Sequence, residues 1–172
     1  IIEHSFGYST FKHTAYNICS EMKVFCPKEE KIKLCKVSLK NLSNVDKNLS
    51  IFYYAQLVLG VYNYGSAKYI STSIQGKYIY GQNPYSKYFG KLKAYLSING
   101  DKNQSFTGNR KSFLGVGGEL SSPKALLENS LDNLSGSIYD PCLGAKLDIK
   151  LKAGEEREII IIFGQEESEE LI

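Results

Sequence analysis

The residues of this chain best suited to chemistry are tyrosines interleaved with amides and lysines. Ten of the 13 tyrosines lie between Tyr53 and Tyr95, a stretch that also carries Asn63, Gln75 and Gln82. Aromatic faces stack on the apolar faces of sugar rings, while amides and ammonium groups hydrogen-bond sugar hydroxyls. The mixture is therefore compatible with carbohydrate contact. The alternative stays open, because tyrosine also favours β-strands and alternating rings can simply cover a sandwich.

Groups that could perform nucleophilic or acid–base catalysis are scarce. Ser5 or Ser9 could act as a nucleophile with His4 or His13 as its base, but no GxSxG turn accompanies them. A polar strand end is the favoured interpretation, so we assign no catalytic residue. Without a third histidine and without CxxC spacing, the sequence predicts no metal site and no cofactor. Reduced and mostly buried thiols are expected for Cys19, Cys26, Cys35 and Cys142.

Composition and charge indicate one ordinary domain that does not bind nucleic acid. The chain has 172 residues, 42% of them hydrophobic and 23% charged, and a formal net charge of +3. No apolar stretch approaches the roughly 20 residues of a spanning helix. Arg110 and Arg157 are the only arginines, too few for a phosphate-binding surface. Because Ile1 is not a methionine and no signal peptide follows it, we expect a domain excised from a longer protein.

The strongest periodic pattern lies near the C-terminus. Residues 145–151 alternate apolar and polar side chains, a period of two that places one face of a strand in a core. A turn at 153–155 then leads into the β-branched run 158–163. The two segments are expected to form an antiparallel hairpin.

Strands are also predicted along the rest of the chain. A strand over 18–26 stops at Pro27, and the apolar pattern of 32–39 changes phase. A β-bulge near Cys35 and Lys36, or a misread strand boundary, would explain that change. Further strands are expected over 49–61, which we interpret as central, over 69–80, and over 92–98, which ends at an Asn99–Gly100 hairpin turn.

Helix is scarce in these patterns. The best candidate is 123–129, with Ser122 as N-cap and Pro123 at the first helical position. Fifteen glycines spread among short strands predict an all-β antiparallel sandwich or barrel. No repeat or low-complexity linker indicates a second domain.

Seven short segments, spread over the whole chain, carry a family resemblance. They are residues 4–11, 22–27, 37–43 continuing into 49–54, Asn83-Pro84-Tyr85, 105–110 with 113–115, 140–142, and 153–158 running into 163–165. Together they resemble the N-terminal β domain of glycoside hydrolase family 94, formerly glycosyltransferase family 36. That family includes cellobiose and chitobiose phosphorylases and cyclic β-1,2-glucan synthases, and the resemblance is closest to the synthase branch.

The resemblance implies an antiparallel super-sandwich of the galactose mutarotase-like type, with at most one short helix. It implies a single β-sandwich domain over 1–172, a fragment of a larger multidomain enzyme, with 165–172 beginning an acidic linker. In the family an (α/α)6 barrel follows and holds the general-acid Asp and the phosphate site, so no catalytic residue is carried over to this chain.

The resemblance also implies partners and a location. The expected partners are an oligosaccharide or β-glucan, the (α/α)6 catalytic barrel of the same parent chain, and a second copy in a homodimer. The expected location is the cytoplasm, with the parent anchored in the inner membrane if it is of the glucan synthase type.

Five residues follow from the resemblance as candidate carbohydrate contacts. Arg110 lies in a family motif between Phe106 and Phe113, and its guanidinium suits bidentate hydrogen bonding to sugar hydroxyls. A structural ion pair that holds this loop is the alternative. Asn83 and Tyr85 form a turn that would present a ring to a glucan chain, or else pack at a sandwich edge.

The functional expectation is a noncatalytic domain that binds carbohydrate or shapes the active site of a β-glucan phosphorylase or cyclic β-1,2-glucan synthase. A structural or dimerisation domain without a ligand is one alternative. Another is an aldose epimerase of the mutarotase-like fold, which would need a histidine and a glutamate converging on a groove. Only His4 and His13, near one terminus, could supply that histidine. The linkage and length of the glucan stay open.

Overall fold

A computed structural model describes residues 1–100 and 103–172, and within them strands dominate. The strands are β1 (Ile2–Ser5), β2 (Tyr8–Ala15), β3 (Ile18–Phe25), β4 (Ile32–Asn41), β5 (Lys47–Gln56), β6 (Ser71–Gln75), β7 (Tyr78–Gln82), β8 (Lys93–Ile98), β9 (Gln104–Asn109), β10 (Gly136–Ser137), β11 (Pro141–Leu151) and β12 (Glu156–Glu166). The helical elements are α1 (Asn63–Ser66), α2 (Arg110–Leu114) and 3₁₀ turns over Ala67–Tyr69, Lys124–Leu127 and Glu169–Leu171. No helix in the described part of the chain has the length and apolar character needed to cross a membrane.

The strands form two antiparallel sheets that pack face to face. The larger sheet has nine strands in the order β1-β2-β3-β4-β12-β8-β7-β6-β10, and the smaller has three in the order β5-β11-β9. β11 and β9 pack against β6, β7 and β8. The predicted all-β antiparallel sandwich is therefore confirmed.

The main core lies between the sheets and confirms the alternation read from the sequence. Ala145, Leu147, Ile149 and Leu151 point inward from β11, and each is at most 8% exposed. Because alternate strand positions face opposite sides, these four side chains share one face. They pack with residues from both sheets, including Leu96, Ile98, Ile159 and Ile161.

A second, smaller core on the opposite face of β5 and β11 fixes α2 in place. Phe113 and Leu114 of α2 are buried together with Ala125 and Leu131, and the half-buried ring of Phe52 packs against them. The Lys146 side chain is also buried on this face, where its Nζ donates to the carbonyl of Glu128 at 3.2 Å. The long connection after α2 is thereby tied to the smaller sheet.

Two predicted hairpins are wrong, because neighbours in sequence lie in different sheets. β11 pairs with β5 and β9, whereas β12 pairs with β4 and β8, so the link between β11 and β12 crosses from one sheet to the other. The hairpin predicted at Asn99–Gly100 is also wrong, because β8 and β9 lie in different sheets and do not pair. Residues 101–102 of this connection lie outside the described residues. Asn99 instead bonds across to β12, exchanging backbone and side-chain hydrogen bonds with Ile160.

The remaining local expectations are partly corrected. β5 ends at Gln56 and pairs only with β11, so the predicted central strand over 49–61 is a shorter edge strand. β4 keeps one register with β3 and β12 throughout, so no bulge lies near Cys35, and the phase change places Ile32 and Leu34 on the outer face. The helix expected over 123–129 is a 3₁₀ turn, Lys124–Leu127, preceded by Pro123 rather than capped by the Ser122 side chain.

Candidate functional site

A surface cavity of about 130 Å³ lies where the end of β5, α1, the start of α2 and the approach to β11 meet. Four segments that are distant in sequence converge there because the smaller sheet places β5 and β9 on either side of β11. The lining residues are Gln56, Asn63, Tyr64, Ala67, Arg110, Tyr139 and Asp140.

Arg110 is held at this cavity by bonds from both its backbone and its side chain. The Asn109 side chain accepts a hydrogen bond from the Lys111 N–H at 3.0 Å and so caps α2 at its first turn. The Arg110 N–H donates to the Asp140 carbonyl at 2.9 Å, and Arg110 Nη1 donates to Asp140 Oδ2 at 3.1 Å. The Asp140 carboxylate raises the pKa of Arg110 above its ordinary value, so the guanidinium stays charged.

Within the described residues, the buried side-chain polar atoms that lack a hydrogen-bond partner all belong to this region. They are Tyr54 Oη, Asn63 Oδ1 and Arg110 Nε. Each of these atoms is shielded from solvent, and the Tyr54 hydroxyl and the Arg110 guanidinium lie beside each other. The three atoms therefore form a polar layer behind the cavity wall rather than part of its accessible surface.

Tyr54 lies beside Arg110 and stays neutral at physiological pH. Burial raises the pKa of its phenol to about 12, and the nearby Cys142 thiol adds to the rise, while the Arg110 guanidinium opposes it. The ring of Tyr54 packs on Phe113 with ring centroids 5.0 Å apart. Tyr54 is therefore a fixed, uncharged hydroxyl beside the guanidinium.

Two exposed aromatic rings stand among the cavity's polar groups. Tyr64 is 88% exposed and Tyr139 is 79% exposed. Exposed rings next to a guanidinium, a carboxylate and two amides form the combination of stacking faces and hydrogen-bonding groups that suits a sugar.

The five contact residues predicted from the sequence differ in location and burial. Arg110 lies at the cavity, and the ion pair proposed as its alternative role is present too, with Asp140. Phe106 and Phe113 are each 3% exposed, so their rings are core residues and are not accessible to a sugar here. The predicted loop between them is the end of β9 followed by α2.

The predicted turn at Asn83 is present, and it separates the roles of Asn83 and Tyr85. Asn83 is only 6% exposed, and its Nδ2 donates to the Leu59 carbonyl at 2.8 Å. Its Oδ1 accepts a hydrogen bond from the Tyr85 N–H at 3.2 Å. Tyr85 is 72% exposed, so Asn83 shapes the turn and Tyr85 is presented to solvent.

Sequence reasoning missed most of the cavity. Asp140 lies in one of the family-like segments and Tyr64 in the tyrosine-rich stretch, so both carried a signal that was not connected to Arg110. Asn63 was one of the amides noted in the same stretch, again without a link to Arg110. Gln56 and Tyr139 were not singled out, because only the sheet order brings them to Arg110.

Other groups of chemically capable side chains give weaker indications of a functional site. Ser9 Oγ lies 2.8 Å from His4 Nδ1, but no carboxylate of the described residues hydrogen-bonds that imidazole. A larger depression of about 390 Å³ is lined by Asp148, Lys150, Arg157 and Glu158, each of which already has an ion-pair partner.

Across residues 1–100 and 103–172, no three His, Cys, Asp or Glu side chains are grouped to hold a metal ion. Cys35 and Cys142 are buried, while Cys26 is exposed.

Comparison with known proteins identifies similar domains. Residues 1–172 match the model of the glycosyl hydrolase 94 supersandwich domain. The chain is 28% identical over 166 residues to the cyclic beta-(1,2)-glucan synthase NdvB of Rhizobium meliloti (strain 1021), covering 94% of this chain and 6% of that protein. It is 24% identical over 175 residues to the N,N'-diacetylchitobiose phosphorylase of Vibrio proteolyticus, covering 95% of this chain and 21% of that protein.

A solved structure shares the fold. A putative kojibiose phosphorylase from human microbiome superposes with a TM-score of 0.50 at 10% identity, covering 92% of this chain and 17% of that one. In all three comparisons the chain spans about a fifth or less of the relative's length.

Proposed function

This chain belongs to the glycosyl hydrolase 94 supersandwich domain family, and from that premise we propose that it is a noncatalytic domain that contacts the carbohydrate of a β-glucan phosphorylase or cyclic β-1,2-glucan synthase. The observation that carries the proposal is the Arg110 cavity, where a guanidinium, a carboxylate and two amides lie beside exposed tyrosine rings. The similar proteins include a glucan synthase and a chitobiose phosphorylase, which agrees with a carbohydrate ligand.

The donor and acceptor pattern of the cavity favours a hydroxylated ligand. A hydroxyl both donates and accepts, so one sugar can bond to the Arg110 guanidinium, the Asp140 carboxylate and the Gln56 amide that line the cavity. Because Asp140 already balances the charge of Arg110, the cavity does not depend on an anionic ligand. Tyr64 and Tyr139 supply faces on which a pyranose ring can stack.

The rest of the parent enzyme supplies catalysis in this proposal. An (α/α)6 barrel in the same polypeptide would hold the reacting groups, and the super-sandwich domain would shape its entrance and contribute to a homodimer. Residues 165–172 would lead toward that barrel, although Gln165 and Glu166 still belong to β12. The proposal places the domain in the cytoplasm.

Calorimetric titration of the chain with β-1,2-gluco-oligosaccharides tests the proposal. We expect saturable binding, and we expect Tyr139→Ala to weaken it about fivefold, because an aromatic contact contributes about 0.5–1.5 kcal/mol beyond area burial. Phe6→Ala is the matched control, since Phe6 is also fully exposed but lies in the turn between β1 and β2. No binding, or equal weakening in both variants, would argue for a purely structural domain.

A further inference from the structure

A second place on the surface is built to present aromatic rings. The connection of β7 to β8 is a compact loop, residues 83–92, tied by its own hydrogen bonds. The Ser86 N–H donates to the Asn83 carbonyl at 3.1 Å, the Gly90 N–H to the Ser86 carbonyl at 2.9 Å, and the Leu92 N–H to the Phe89 carbonyl at 2.9 Å. A loop fixed in this way holds its side chains in a defined direction.

The loop presents three aromatic rings that are each more than half exposed. Tyr85 is 72% exposed, Tyr88 is 83% exposed and Phe89 is 56% exposed. Gly90 keeps the loop tight, because a Cβ there would meet the Ser86 carbonyl oxygen at 2.5 Å. Exposed rings grouped on a rigid segment are typical of a surface that contacts a ligand or partner.

Tyr85 is the ring of this loop that stacks on an aromatic ring outside the loop. It stacks on Tyr69 with ring centroids 4.2 Å apart and an interplanar angle of 9°. The Lys68 ammonium lies 4.9 Å from the centroid of the Tyr69 ring. Together with the Asn83 turn, the stack covers one face of the Tyr85 ring and leaves the other to solvent, so little side-chain freedom is lost when a ligand binds.

We propose that the free face of Tyr85 is a second stacking platform for the same glucan chain, an inference that rests on the proposed function. The 3₁₀ turn that ends at Tyr69 follows directly on α1, which supplies Asn63 and Tyr64 to the Arg110 cavity. From Tyr64 to Tyr69 the chain rises roughly 8 Å. The two places are therefore linked by one short helical segment, and we expect an oligosaccharide of several units, rather than a single sugar ring, to contact both.

The charge around the platform is compatible with a neutral sugar and disfavours a basic protein segment. Residues 47–100 contain no acidic side chain, and Lys68, Lys87 and Lys91 lie beside or within the loop. Ammonium groups donate to sugar hydroxyls, and a flat tyrosine face matches the apolar side of a pyranose ring. The platform therefore extends the ligand from one sugar unit to an oligosaccharide.

Affinity measured against chain length tests this inference. We would titrate the chain with β-1,2-gluco-oligosaccharides of two to six units and compare wild type with Tyr85→Ala. We expect Tyr85→Ala to weaken binding of the longest oligosaccharide about fivefold to tenfold and to leave the disaccharide unchanged. Tyr85→Phe keeps the ring and should retain the wild-type affinity. Tyr88→Ala is the matched control, since Tyr88 is as exposed but has no stacked partner of this kind.

The outcomes separate this inference from the proposed function. If Arg110 variants weaken binding while Tyr85→Ala leaves every length unchanged, the platform is overturned and the proposed function stands. If the wild-type chain binds no oligosaccharide, both are overturned. If Tyr85→Ala instead abolishes self-association seen by sedimentation, without an effect on sugar, the loop is a contact between copies and the platform is overturned.

Discussion

Replacing Asn41 by alanine is expected to lower the free energy of unfolding by about 3 kcal/mol, the largest stability effect of any single polar substitution that we predict. Asn41 is completely buried. Its Nδ2 donates to the carbonyls of Val45 at 2.7 Å and Lys152 at 3.0 Å, and its Oδ1 accepts from the Ser43 N–H at 3.0 Å. Alanine would remove these hydrogen bonds and would leave the Ser43 N–H without its acceptor, although the Val45 carbonyl keeps the Ser43 hydroxyl and the Lys152 carbonyl keeps the Glu155 N–H. It would also free the β4–β5 loop from the end of β11.

Urea denaturation followed by far-UV circular dichroism measures this change. Asn48→Ala is the matched control, because Asn48 is exposed on β5 and its side chain hydrogen-bonds to no other described residue. The control should change stability by no more than about 0.5 kcal/mol. A loss below about 1 kcal/mol in Asn41→Ala would mean that its hydrogen bonds are readily replaced by water.

Replacing Arg110 by methionine is expected to weaken oligosaccharide binding by about 30-fold or more. Methionine keeps the aliphatic bulk of the side chain but removes the charged donors, whose hydrogen bonds contribute about 1.5–3 kcal/mol each. It also leaves the Asp140 carboxylate without its partner inside the cavity. Arg110→Lys keeps the charge but loses the planar fork, so it should restore only part of the affinity.

Arg157 provides the matched control for this substitution. It is the only other arginine, and it likewise pairs with a carboxylate, that of Glu155, at 3.3 Å. Arg157→Met should leave the calorimetric affinity unchanged. A similar loss in both variants, or none in Arg110→Met, would assign Arg110 a structural role at the start of α2, and thermal melts would show whether each variant remains folded.

Local patterns predicted several strands, whereas sheet membership escaped prediction. The strand predicted over 69–80 is wrong, because residues 76–77 form a turn that divides it into the paired strands β6 and β7. The alternation over 145–151 reports which side chains face a core, and that is a property of the strand itself. Which strand pairs with β11 depends on contacts far along the chain, so a two-strand pattern with a short link looked like a hairpin. The same is true of Asn99, which matches a turn signal but bonds to Ile160.

Of the residues that line the cavity, only Arg110 was predicted as a carbohydrate contact from the sequence. Arg110 stood out as one of two arginines in a family-like motif, and it does lie at the cavity. Phe106 and Phe113 shared that motif, but their burial depends on how β9 and α2 pack, which no local pattern contains. Asn63 and Gln56 reach the cavity only through the fold, so their types alone gave no reason to group them with Arg110.

The most direct test of the central claim, that the Arg110 cavity contacts carbohydrate, is an NMR titration of the ¹⁵N-labelled chain with a β-1,2-gluco-oligosaccharide. We expect backbone amide shifts to change with ligand concentration at residues that line the cavity, among them Gln56, Asn63, Tyr64, Arg110 and Asp140. Amides of β1 to β3 on the larger sheet should remain unchanged. Spectra that stay the same at millimolar ligand, or shifts confined to β1 to β3, would contradict the account.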